Sequence, residues 1–133
     1  MTTRRTLLAI VAAIAPVSAL AHTPAGGRGP NGGQVQDIGS YHGEMLVKDG
    51  EITLFLVDHN DRPVPARGAS GTAIVLAEGR QQTLTFAPRA DGAALVAIGD
   101  FRAAPGLRVV VQVVPAAGQQ RAQARFTPAD APR

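Results

Sequence analysis

Residues 41–61 read YHGEMLVKDGEITLFLVDHND. Two runs of mixed apolar and polar residues flank Lys48-Asp49-Gly50-Glu51. Asp-Gly between alternating runs predicts a two-residue hairpin turn, because glycine accepts the positive φ that such a turn demands. That turn would set Lys48 opposite Glu51, and each further pair would step one residue outward on both strands. His42 would then face Val57, with His59 two residues farther along the partner strand. Side chains two apart point to one face, so His42 and His59 become diagonal neighbours with Cα atoms about 7–8 Å apart. Glu44 falls on their side, with Leu46, Phe55 and Val57. Tyr41, Met45, Val47, Ile52, Leu54 and Leu56 fall on the other and make a core stripe. A bulged turn would reverse the parity and separate the two histidines.

The texture from Gln34 onward is all β, with short runs punctuated by turn residues. Strands are expected near 34–38, 41–48, 51–58, 71–77, 81–87, 92–98, 107–114 and 121–127. Glu78-Gly79 reads as a second two-residue turn. Asp61-Arg62-Pro63-Val64-Pro65 ends the strand before it, since proline cannot donate to a ladder. The β-branched run from Leu107 to Val114 suits a central strand. Seven or eight such strands predict an all-β, antiparallel immunoglobulin-like sandwich over 34–128, with a frayed tail at 129–133.

The chain has 133 residues and no cysteine. Thiolate metal sites, thiol redox chemistry and cysteine nucleophiles are therefore excluded. Its opening, MTTRRTLLAIVAAIAPVSALAHTP, has the layout of an export signal. Arg4 and Arg5 precede an apolar stretch, and Ala19-Leu20-Ala21 gives a small-x-small cleavage pattern. The apolar stretch is shorter than the ~20 residues a spanning helix needs. Residues 1–21 are thus expected to be a signal peptide, leaving a periplasmic protein without a transmembrane anchor. Thr3-Arg4-Arg5-Thr6-Leu7-Leu8 also resembles a twin-arginine motif, but Ala9 stands where a lysine often follows, so the ordinary secretory route is slightly favoured. Cleavage would lower the net charge from +3 to +1. Scattered basic residues and few aromatics argue against a nucleic-acid partner. TPAGGRGPNGG, completing residues 22–33, is expected to be a flexible arm.

The candidate ligands are few. His42 and His59 supply imidazoles and Glu44 an oxygen, a donor set suited to Cu(II) or Zn(II). His22 would become the first residue after cleavage, where its amine and imidazole would chelate Cu(II). Met45 is a soft donor, but its parity turns it into the core. Asp58 and Asp61 flank His59 and read as turn formers. Ser40 and Ser70 have no accompanying base motif, so no enzyme is expected.

Gly29-Pro30-Asn31-Gly32-Gly33, Tyr41-His42-Gly43-Glu44 and Asp58-His59-Asn60-Asp61-Arg62-Pro63-Val64 resemble segments of small exported bacterial proteins. Those in turn resemble the periplasmic β-domain of heavy-metal efflux adaptor subunits. The adaptor domains commonly carry histidine where this chain has Asn31, and a Pro-His pair with no counterpart around Ala104-Pro105-Gly106. A mature amino-terminal histidine on a β-sandwich also resembles periplasmic copper-resistance carriers, although their Asp-x-His motif is absent. The resemblance implies a non-enzymatic binder of a divalent transition metal, copper foremost, in metal homeostasis or efflux. Its partner would be a metal-efflux or other envelope protein. The alternative is a metal-independent envelope protein-interaction module.

Overall fold

A computed structural model describes residues 27–128. The expected signal peptide, His22 and the tail at 129–133 lie outside these residues. Nine strands form two antiparallel sheets: β1 (Gln34–Ile38), β2 (Tyr41–Lys48), β3 (Glu51–Val57), β4 (Ser70–Ala77), β5 (Arg80–Thr85), β6 (Ala87–Pro88), β7 (Leu95–Ile98), β8 (Arg108–Val114) and β9 (Ala122–Phe126). One sheet runs β1-β2-β3-β7-β6 and the other β5-β4-β8-β9. With β2, β3, β4, β6, β7, β8 and β9 lettered A to G, the sheets become A-B-E-D and C-F-G, the immunoglobulin constant-type order. β1 adds a strand beside the first, and β5 extends the second sheet beyond its C strand. Among the described residues no helix is long and apolar enough to cross a membrane.

The β2–β3 hairpin has the expected two-residue turn. Lys48 pairs with Glu51 and His42 with Val57, and Gly50 takes φ 75°. The turn is held from outside its own hairpin, since Asp49 Oδ1 accepts the Ala103 N–H at 2.8 Å. Gly50 N donates to the Phe101 carbonyl at 2.9 Å. Met45, Ile52, Leu54 and Leu56 are buried as the parity requires, with Tyr41 and Val47 half-buried beside them. They meet Val75, Val109, Val111, Val113 and Phe126 from the facing sheet. The Leu107–Val114 run is central, with β8 between β4 and β9.

One expected strand, 81–87, is two. β5 pairs with β4 in one sheet, whereas Ala87 and Pro88 pair with β7 in the other. The crossing residue, Phe86, is buried, and its N–H donates to the Gly71 carbonyl at 2.9 Å. Anchoring a large aromatic between the layers carries the chain from one sheet to the next. Pro88 is tolerated because β6 is an edge strand. The opposite side is closed by Gln34, whose buried side chain accepts the Thr127 N–H at 2.8 Å.

β4 and β8 approach so closely at Gly71 that a Cβ there would overlap the Gln112 carbonyl oxygen and sit 3.0 Å from Val113 Cα. The obstacle is backbone in the middle of a sheet, so Gly71→Ala is expected to lower unfolding stability by about 1–3 kcal/mol. Urea denaturation with an unchanged m-value checks this.

Candidate metal centre and the latch beside it

The outer face of the first sheet carries the site. Antiparallel pairing sets Asp37, His42 and Val57 in one row across β1, β2 and β3, and Val35, Glu44 and Phe55 in the next. β3 ends at Val57, and the chain turns through Asp58 to Arg62. Asp58 Oδ1 accepts the N–H groups of Asn60 at 2.8 Å and Arg62 at 3.0 Å. The Arg62 amide, with that of Asn60 and the nearby cations, holds the Asp58 carboxyl below its ordinary range. Both acids are used in the turn, since Asp61 takes the left-handed φ of 57°.

That turn carries His59 back over the row of His42. The two imidazoles lie edge to face, with centroids 6.0 Å apart and planes at 88°. Two imidazoles bound to one ion at metal–nitrogen distances of about 2 Å have centroids about 5–6 Å apart, the range in which this pair lies. His42 Nδ1 lies 2.7 Å from Asp37 Oδ1. A carboxylate on one ring nitrogen fixes the ring and leaves Nε2 as the atom that could meet a ligand.

Asp37 is the residue that the sequence reading missed. The signal was present: Gly39-Ser40 is itself a two-residue turn, and the same register counting sets Asp37 opposite His42. Among the described residues no three His, Cys, Asp or Glu side chains converge into a cage for an ion. The site is a pair of imidazoles with an orienting carboxylate.

Glu44 stands differently from the expectation. It shares the outer face with His42 but is only 5% exposed. The Gly29–Gly33 loop folds over it. Its carboxylate accepts the Asn31 N–H at 2.9 Å, Asn31 Nδ2–H at 2.9 Å and the Gly33 N–H at 2.7 Å. With both oxygens engaged by N–H donors, Glu44 here is the anchor of the loop rather than an open ligand. The expected flexible arm is therefore ordered from Gly27 onward. Pro30 and Asn31 form the centre of a turn closed by Gly32 N to the Gly29 carbonyl at 2.9 Å, followed by Gly32 at φ 83°. The Val35 N–H donates to the Gly27 carbonyl at 2.9 Å. Gly29 must be glycine, since a Cβ would overlap the Glu44 carboxyl.

Between this loop and the Asp61–Pro63 segment lies a groove of about 490 Å³, with Phe55 and Val57 among its lining and His42 beside them. Arg89 lies over the Phe55 ring at 5.3 Å from its centroid. Its guanidinium pairs with both Asp91 oxygens, at 2.9 and 2.8 Å. That pairing holds the Asp91 carboxyl down to about 2.

No protein-family model matches the chain, and neither curated proteins nor solved structures give a match.

Two outcomes follow from the site. Replacing Glu44 by Gln leaves too few acceptor positions for the donors around it, and stability is expected to fall by about 1.5–3 kcal/mol. Denaturant melts, with faster amide exchange at Gly33, would show it. Because the folded Asp91 value is depressed, the Arg89–Asp91 contact is complete above the ordinary carboxylate range and is lost as pH falls towards about 2. An NMR titration of the Asp91 carboxyl carbon should give a midpoint there.

Proposed function

We propose that the protein is a non-enzymatic periplasmic binder of a divalent transition metal, Cu(II) foremost and Zn(II) next, serving metal homeostasis or efflux. The observation that carries this reading is the convergence of His42 and His59 at 6.0 Å, with Asp37 holding one of them. A tight turn, a strand end and a second hairpin must all agree for that convergence to occur. Copper(II) favours nitrogen and oxygen donors, and an open pair of imidazoles leaves coordination positions for water, for a partner protein or for His22. After cleavage at Ala21, His22 would offer an amine and an imidazole. Four residues lie between it and Gly27, and the five residue-to-residue steps reach about 16 Å. Open coordination on an exposed face suits reversible loading and hand-over to a metal-efflux or other envelope protein.

The groove beside His42 favours a second reading, a metal-independent interaction module. Its apolar floor would take a segment of an envelope partner.

Titration of the mature protein with Cu(II) and Zn(II) at neutral pH separates the two. Binding is expected to be lost in His42→Ala/His59→Ala and to weaken as pH falls, since protons compete for the same nitrogens. Asp37→Asn should weaken binding by about 10–100-fold without removing it. Unchanged affinity in the double histidine variant would end the metal reading. Metal-independent capture of one envelope protein, abolished by a charge at Val57, would establish the alternative.

A further inference from the structure

Asn31-Gly32 occupies an unusual position for a chemically fragile pair. Glycine after asparagine offers no side chain to hinder attack by its own backbone nitrogen on the asparagine amide. Here both reacting groups are held. Gly32 N donates to the Gly29 carbonyl at 2.9 Å, and Asn31 Nδ2 donates to Glu44 Oε1 at 2.9 Å. The group that restrains the amide is a carboxylate only 5% exposed to solvent. It accepts from Asn31 N, Asn31 Nδ2 and Gly33 N, and a second anion in place of one of these donors would be repelled.

We infer that Asn31 is a deamidation site held closed by the Glu44 latch, and that its conversion to aspartate releases the Gly29–Gly33 loop irreversibly. In the reaction Gly32 N bonds to Asn31 Cγ, and the Cγ–Nδ2 bond breaks to release ammonia. The resulting succinimide takes up one water at either carbonyl and opens to aspartate or isoaspartate. Overall, an amide and a water become a carboxylic acid and ammonia, with no change in oxidation state. The product carboxylate then stands where an N–H donor stood against Glu44. Two acceptors then face each other where a donor and an acceptor had met, and the loop leaves. Isoaspartate also lengthens the backbone by one carbon inside the turn that Gly32 N closes. Release uncovers Glu44 two residues from His42 on the same strand face, and removes the Pro30–Asn31 wall of the groove. The rate is set by how often the loop opens on its own, so the latch acts as a timer. This inference is independent of metal binding.

The wild-type protein would be aged at neutral pH, folded and in urea, and the peptide spanning Asn31 followed by mass spectrometry with an isoaspartate assay. Conversion is expected in both samples, slower in the folded one by about tenfold or more, the factor that ordering by a charge-assisted hydrogen bond brings. Asn31→Asp should speed amide exchange at Gly33 and lower the unfolding midpoint. Asn31→Asp/Glu44→Gln, which restores an amide–carboxylate pair with the roles exchanged, should recover part of that loss. Should Asn31→Asp fail to fold, exchange at Gly33 in the aged wild-type fraction gives the same reading. Equal conversion rates in folded and unfolded chain would overturn the proposal. So would an aspartate form, engineered or aged, whose Gly33 exchange matches that of the unmodified protein.

Discussion

The two-residue turn at Asp49-Gly50 leaves β2 and β3 one register. A one-residue slip of β2 would bring Met45 out of the core and turn His42 and Glu44 inward, and a slip of β3 would expose Ile52, Leu54 and Leu56. Burying an imidazole and a carboxylate without partners would cost more than the fold could offset. Hydrophobic parity and turn chemistry therefore act together, and the anchoring of Asp49 and Gly50 by the Phe101–Ala103 segment secures what they choose. The core, the row of His42 and the seat of Glu44 all descend from that register.

On this frame the outer face divides its labour between two neighbouring positions of β2. His42 is half-buried, with one ring nitrogen fixed by Asp37. Glu44, two residues away, is held instead by the Gly29–Gly33 loop, which supplies amide donors to both its oxygens. A carboxylate so fully solvated by N–H groups gains little from a cation that would have to displace them. One position thus carries a ring oriented by β1 while the other fastens the loop that shapes the adjoining groove.

The Asp58–Arg62 turn completes the arrangement. A continued β3 strand would carry His59 straight onward, whereas the hydrogen bonds to Asp58 Oδ1 curl the chain. Val64 then returns to donate to the Leu56 carbonyl at 2.8 Å. His59 sits on that curl, and its approach to His42 is a property of the turn as much as of the strand.

The sequence alone determined most of the strands, the β2–β3 register and the shared face of His42 and Glu44, because alternation and turn glycines are local signals. The pairing of Asp37 with His42 was equally local, and legible at Gly39-Ser40. Three features came only with the tertiary structure. The Gly29–Gly33 loop reads as a flexible linker until Glu44 is placed beneath it, since glycine and proline report backbone freedom and not what will remove it. The split of 81–87 depends on Phe86 finding a core between two sheets, which no strand sees by itself. The 6.0 Å approach of the imidazoles depends on a curl at Asp58. Local physics determines which way a side chain points; only the packed chain determines what it meets there.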